Sequence, residues 1–293
     1  MLIDLQKLET GFCDRLRQIT FCIALAKLKR IKTLSIYELK NKECPFKFID
    51  YCKIKNFKIK ELKKNPHSNA SIQMTPYNSS LSIANCILHN PYKEIDNKLL
   101  LSEWIKSYKD IIFSNSIKKK VKNAINKKKN FIGLHIRLTD KVVTLFNKVK
   151  HSFEKDLITI SEYDYLKKNL IKYLDRNFTA KNVFIASDDK KAKKDLSKIL
   201  LRSRYNFFYN DAKFTNKFRQ TNGADFLIDL LILSKSKGIL TTGGNVSLTA
   251  SLISAKKIKI YNYSKSGILN NIFYLSSKFF KIIKIILKKI FNY

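Results

Sequence analysis

Two rhythms of apolar and polar positions run along this chain. In residues 16–28, LRQITFCIALAKL, the apolar Leu16, Ile19, Ile23 and Ala26 recur at helical spacing. The segment before it, Thr10-Gly11-Phe12-Cys13-Asp14-Arg15, offers Thr10 or Asp14 as a cap. Residues 31–37, IKTLSIY, then alternate with the period of two that a strand requires. Residues 40–100 contain all four prolines, Pro45, Pro66, Pro76 and Pro91, and read as loops and short elements. Residues 99–126 read as helix, ending in the basic KKKVKNAINKKKN. Beyond that, short apolar runs alternate with helical stretches. Strands are predicted at 131–136 (FIGLHI), 182–187 (NVFIAS), 205–209 (YNFFY), 238–242 (GILTT) and 257–261 (KIKIY), and helices at 161–175, 189–201, 224–236 and 245–255. This order predicts an α/β fold with a parallel sheet covered by helices on both faces. It divides the chain at 1–125, 126–262 and 263–293.

The last segment, SSKFFKIIKIILKKIFNY, is two-sided on a helical wheel. Lys278, Lys281, Lys284, Lys288 and Lys289 gather opposite Phe279, Ile282, Ile283, Ile286 and Ile290. This predicts a basic amphipathic helix lying on an anionic membrane surface, with packing back across the domains as the alternative.

Composition narrows the picture. A length of 293 residues with 45% hydrophobic content suffices for two small domains or one large α/β unit. The formal charge of +35 favours anionic partners, although Lys far exceeds Arg and such an excess also arises from genomic bias. Lys lacks the planar fork that reads phosphates and bases, and no nucleic-acid module is present, so nucleic acid ranks low as a partner. Five cysteines, Cys13, Cys22, Cys44, Cys52 and Cys86, form no C-x-x-C pair and fit free thiols in a reducing compartment. The N-terminal MLIDLQKLETGF has no apolar h-region, and no apolar run approaches the ~20 residues that span a bilayer. The expected location is cytoplasmic, peripheral on the inner face of the membrane.

Three clusters carry candidate chemistry. In Gly133-Leu134-His135-Ile136-Arg137-Leu138-Thr139-Asp140-Lys141 an apolar strand runs into His, Arg, Asp and Lys, with His135 and Arg137 on one face. Ligands of open α/β sheets sit at such carboxyl ends, where an Arg can grip phosphate with two bonds. A surface salt-bridge cluster is the alternative. In Ala186-Ser187-Asp188-Asp189 the paired carboxylates suit metal, ribose, base or a helix cap. In the third cluster Asp229 lies inside the apolar helix DFLIDLL, where a carboxylate needs a partner, and the two adjacent N–H donors of guanine would suit it. The same cluster continues through Thr241-Thr242-Gly243-Gly244-Asn245-Val246-Ser247, a strand–Gly-Gly–helix passage of the kind that cradles phosphate, though it is not a G-x-G-x-x-G fingerprint.

Together these strings resemble the fucosyltransferase superfamily, most closely its core and rhizobial nodulation α-1,6-fucosyltransferase branch. HIRLTDKV is similar to that family's H-V-R-R-T-D-K-V, VFIASDD to its strand followed by A-T-D-D, and DFLIDLLILSKSKGILTT to its helix with a buried Asp before the last donor-domain strand. GFCDRLRQITFCIALA resembles the Gly-containing turn and helix that open the catalytic region. The resemblance covers roughly residues 10–37 and 130–256. It implies a GT-B-like fold, two Rossmann-type halves facing a cleft. Residues 1–125 would be the acceptor side, 126–262 the GDP-sugar domain, and 263–293 the basic tail. It implies inverting, metal-independent transfer from GDP-fucose, with no cofactor, to a glycan or lipid-linked glycan acceptor. By the same resemblance Arg137 binds the β-phosphate, His135 and Asp229 contact guanine, Asp188 and Asp189 line the donor site, and Gly243, Gly244 and Asn245 lie near the diphosphate. Gly11 belongs to the opening turn. The family's second Arg is Leu138 here and its proposed base is Leu145, so Asp140 and Glu154, beside the motif's Lys141, are the candidate bases. A transferase using another nucleotide sugar, and a non-catalytic basic binding protein of the same fold, are the alternative readings.

Overall fold

A computed structural model describes residues 1–5, 11–40, 44–63, 94–126, 128, 130–138, 158–210, 223–254 and 256–263. In chain order the elements are β1 (Leu2–Asp4), α1 (Phe12–Leu28), β2 (Thr33–Tyr37), α2 (Phe48–Tyr51), β3 (Cys52–Ile54), β4 (Lys58–Glu61), α3 (Asn97–Ser107), β5 (Ile111–Phe113), α4 (Asn115–Ile125), β6 (Phe131–Ile136), α5 (Ile160–Asn177), β7 (Asn182–Ser187), α6 (Lys190–Leu201), β8 (Asn206–Phe208), α7 (Gly223–Leu233), β9 (Gly238–Thr241), α8 (Asn245–Ile253) and β10 (Lys259–Asn262). The tail helix predicted beyond residue 263 lies outside the described residues. Two compact units form. One comprises Met1–Lys129, Asn210–Lys235 and Leu248–Ile258; the other comprises Asn130–Tyr209, Ser236–Ser247 and Lys259–Tyr293.

In the first unit β1, β2 and β4 make a parallel sheet in the order β1-β2-β4, with α1 as the crossover between β1 and β2. Helix α1 is buried from Phe12 to Ala26 except at Asp14, with Arg15, Arg17, Gln18 and Thr20 buried among its apolar residues. Its N-cap is Gly11, with no side-chain cap; Asp14 stands in the first turn instead. Helix α3 covers α1 through Trp104. Its indole N–H donates to Thr20 Oγ1 at 3.0 Å, and its ring meets Phe21 edge-on at 5.4 Å. A buried ion pair joins α1 to the strand after it. Arg15 donates to Glu38 Oε1 and to the Leu39 carbonyl, both at 2.8 Å, while Glu38 Oε2 accepts from the Phe48 N–H at 2.6 Å.

Residues 99–126 are not one helix. Helix α3 ends at Ser107 and passes through a 3-10 turn at Tyr108–Asp110. Ile111–Phe113 then pairs antiparallel with β3, and Ser114 caps a new helix, α4. The β-branched and aromatic Ile111 and Phe113 are buried there, so a partner about sixty residues upstream overrides local helix preference. Cys13, Cys22, Cys44 and Cys52 are buried thiols outside any disulfide, and burial pushes the Cys22 thiol up to about 12, which leaves it inert. Cys86 lies outside the described residues.

The second unit carries a five-stranded all-parallel sheet in the order β10-β9-β6-β7-β8. All six residues of β6 are buried, which is why this central strand reads as a continuous apolar run. Helix α5 lays Tyr163, Leu166, Leu170 and Leu174 onto the sheet's core. Its start is set by a capping box: Thr159 Oγ1 accepts from the Glu162 N–H at 3.2 Å, and Glu162 Oε2 accepts from the Thr159 N–H at 2.8 Å. Helix α6 buries Ala192, Leu196 and Leu200 in the same core.

Candidate functional site

Strand order locates the site. From β6 the chain winds outward through β7 to β8, then returns to the other side of β6 to make β9 and β10. The direction of winding therefore reverses between β6 and β9. Chain connections leave opposite ways there, which opens a crevice at the carboxyl ends of the two strands. His135 and Arg137 come from the end of β6, and Thr241 to Gly244 come from the end of β9.

Backbone bonds extend past both strand ends and fix this edge. The Thr242 N–H donates to the His135 carbonyl and the Arg137 N–H to Thr242 Oγ1, both at 3.2 Å. Arg137 itself is half-buried. Beside it, the Leu138 N–H donates to Asp188 Oδ1 at 3.2 Å, so one of the two adjacent acids braces the β6 exit from the end of β7. The other is a helix cap: Asp189 Oδ1 accepts from the Ala192 N–H at 2.6 Å.

His135 is buried, with Nδ1 3.0 Å from both Thr241 Oγ1 and Ser247 Oγ. Burial, and then the nearby Arg137 charge, lower its pKa to about 3, so the ring is neutral at ordinary pH. Nδ1 is taken by the two hydroxyls. Nε2 makes no hydrogen bond to a described residue. A pH dependence follows. The unfolded imidazole takes a proton near pH 6.5 and the folded one does not, so His135 subtracts stability as pH falls from 6.5 toward 3. Between pH 7 and pH 5 its share should be about 2 kcal/mol. Denaturant unfolding of wild type and His135→Gln at both pH values measures it, and an equal pH slope in the two proteins would contradict a buried neutral ring.

After β9 the chain turns through Gly243 and Gly244 at φ 125° and 93°, conformations that side-chain-bearing residues rarely adopt. The Thr241 hydroxyl ties this turn down, accepting from the Gly243 N–H at 3.0 Å and donating to the Gly243 carbonyl at 3.1 Å. Asn245 then opens α8, so a glycine turn leads directly to a helix N-terminus at the switch point. Thr241, Thr242 and Ser247 belong to the third cluster of the sequence, but their bonds to His135 and to the Arg137 backbone were not foreseen there. The available signal was strand register, which pairs His135 with Thr241.

In the first unit Gly11 caps α1, and Phe12 beside it meets Phe226 of α7 at 6.3 Å. Asp229 lies one turn beyond Asp225 on α7, and both are buried. Asp140, Lys141, Leu145 and Glu154 lie outside the described residues. Among the described residues no helix is long and apolar enough to cross a membrane.

No protein-family model matches the sequence, and no curated protein does. Solved structures do match. Fucosyltransferase NodZ from Bradyrhizobium is similar over 91% of this chain and 95% of its own, with a TM-score of 0.55 and 13% identity. NodZ α-1,6-fucosyltransferase co-crystallised with GDP covers 86% and 91%, with a TM-score of 0.53 and 14% identity. The fold is similar to that of the GT-B fucosyltransferases. POFUT1 in complex with GDP extends the likeness, covering 89% of this chain and 97% of its own with a TM-score of 0.53 and 12% identity. Its α/β class and parallel sheets agree with the sequence-based expectation, and this GT-B-like fold spans most of the chain.

Proposed function

We propose that this chain is a glycosyltransferase that moves fucose, or a related sugar, from a GDP donor to a glycan acceptor, with inversion and without a metal. What carries the reading is the β6–β9 switch point. A half-buried Arg137, a neutral buried His135 and a glycine turn opening a helix meet there, in a fold shared with proteins crystallised with GDP. Arg137 supplies the cation for the β-phosphate, and the N–H groups after Gly244 supply donors for the same anion. His135 offers Nε2 to the base. Positive charge at the diphosphate stabilises the leaving group as the glycosidic bond breaks, which is the task a metal performs elsewhere. Asp140 and Glu154 are the candidate bases for the acceptor hydroxyl, with Lys141 beside them. A lipid-linked acceptor suits the basic tail and a cytoplasmic, membrane-peripheral location.

Titration calorimetry with GDP, UDP and CDP, run in EDTA, tests the donor assignment. GDP should bind at least about tenfold more tightly than either pyrimidine nucleotide, the margin that ~1.4 kcal/mol of base-specific contact provides. Equal affinity for UDP removes the guanine assignment, and GDP binding that requires added Mg²⁺ or Mn²⁺ removes the metal-free one.

A further inference from the structure

We infer that the outward face of α6 is a docking surface for an anionic lipid bilayer. This helix directs Ala192, Leu196 and Leu200 into the core of its unit, and its opposite face carries Lys190, Lys194, Lys198 and Arg202, all exposed. The four follow one another at intervals of four residues, which stacks them into one stripe along the helix. No acid interrupts it. Asp189 is committed to the cap, and Asp195 is turned toward α5, with Oδ2 3.9 Å from Lys167 Nζ. The side chains of Lys194, Lys198 and Arg202 form no ion pair with a described residue. Like charges at this spacing oppose helix formation by a few tenths of a kcal/mol per pair. The stripe therefore weakens the isolated fold, and an external anion relieves it.

Lysine abundance alone does not account for the pattern. On α5 the lysines are interleaved with acids, and Lys167 pairs with Asp164 at 2.8 Å. Helix α4 exposes Lys118, Lys119, Lys120 and Lys122, but none of its apolar residues is exposed. Helix α6 differs in ending at Leu201, which is 74% exposed, the highest value for a large apolar side chain among the described residues. A row of ammonium groups with a protruding Leu beside it fits lipid phosphates with acyl chains beneath them. Nucleic acid offers the phosphates and nothing for the Leu, and it favours the guanidinium fork, which this stripe has only at Arg202. This inference does not rest on the donor chemistry. It would, however, bring the carboxyl end of β7, which leads through Asp188 and Asp189 into α6, toward the lipid surface.

The test is co-sedimentation of the full chain with phosphatidylcholine vesicles, with and without phosphatidylglycerol, at fixed salt. The triple variant Lys194→Gln, Lys198→Gln, Arg202→Gln should bind the anionic vesicles about a hundredfold more weakly, since each cation contributes about fivefold near such a surface. Leu201→Ser should weaken binding severalfold with no change in salt dependence. Because +35 of net charge and the basic tail both attract anions, the control is Lys118→Gln, Lys119→Gln, Lys120→Gln on α4, which removes the same charge elsewhere. This control should bind within about threefold of wild type, as the α4 lysines lie off the stripe. Equal losses in the two triple variants would mean that total charge attracts lipid, and would overturn the assignment. So would a triple variant that loses affinity for RNA while keeping its affinity for vesicles. Melting curves confirm that each variant is folded, and circular dichroism of the α6 variant shows that the helix persists.

Discussion

Arg137→Ala should lower turnover at saturating GDP-fucose by about 10²–10³, the cost of removing one preorganised donor from a developing oxyanion. Arg137 is held in place by its own N–H, which donates to Thr242, and by its neighbour Leu138, whose N–H is fixed by Asp188. Truncating the side chain leaves both backbone bonds, so the strand end should keep its shape, which melting curves check. Only the guanidinium is lost. If it holds the β-phosphate, its contact tightens as the sugar departs, so the loss appears in kcat more than in donor affinity. Arg137→Lys should recover little, because an ammonium cannot reproduce the two-pronged grip. A surface ion pair would behave otherwise, with an effect of at most about 1 kcal/mol and with Lys tolerated. Near-normal turnover by folded Arg137→Ala would remove the phosphate assignment and most of the proposed function with it.

The largest stability effect is expected far from that residue, at the Arg15–Glu38 pair. Both side chains are almost fully buried. Burial pushes the Glu38 carboxyl above its ordinary range, against the pull of Arg15 and of the Phe48 N–H. Arg15→Met strands a carboxylate in the interior and should cost about 3–5 kcal/mol at neutral pH. Replacing both partners, with Arg15→Met and Glu38→Leu, should recover most of it, since an apolar pair carries no stranded charge. The sign of the pH effect is also determined. With Arg15 gone the folded carboxyl titrates even higher above its unfolded value. The stability of the single variant is then retained at low pH and lost as pH rises through the folded pKa. Denaturant unfolding at pH 5 and pH 8 would show this, and unfolding curves of Arg15→Met that overlay wild type at pH 8 would rule out a structural role for the pair.

Much of the second unit could be read directly because its strands are buried on both faces. Runs such as FIGLHI and NVFIAS are too short for a buried helix and suit a strand covered on both faces, and the predicted 131–136 and 182–187 are the strands observed. The stretch 99–126 failed for the opposite reason. Its central Ile111–Phe113 is a strand only because Cys52–Ile54 lies beside it, a contact that no local pattern encodes. The site divides in the same way. His135, Arg137, Gly243 and Gly244 announce themselves as chemistry at a strand end and as a turn that only glycine makes readily. Thr241 and Ser247 look like ordinary polar residues until strand register brings the one, and the helix after the glycine turn the other, to a single imidazole nitrogen. Asp189 illustrates a third case, in which one local pattern has two meanings: its carboxylate does cap α6, which was the simpler of the readings open to it.

The way the chain is shared between the two units governs how the protein is made. The path changes unit five times, at 129/130, 209/210, 235/236, 247/248 and 258/259. Helix α7, which packs on α4, is synthesised about a hundred residues after it. A nascent chain emerging from the ribosome at roughly 5–20 residues per second therefore leaves the apolar side of α4, Ile117 and Val121, waiting several seconds for its cover. Neither unit is a contiguous stretch that could be cut out and expressed alone. Truncation at either unit's first boundary would yield a fragment with exposed apolar surface, prone to chaperone capture and aggregation. Folding of the first unit is complete only when Ile258 has cleared the exit tunnel.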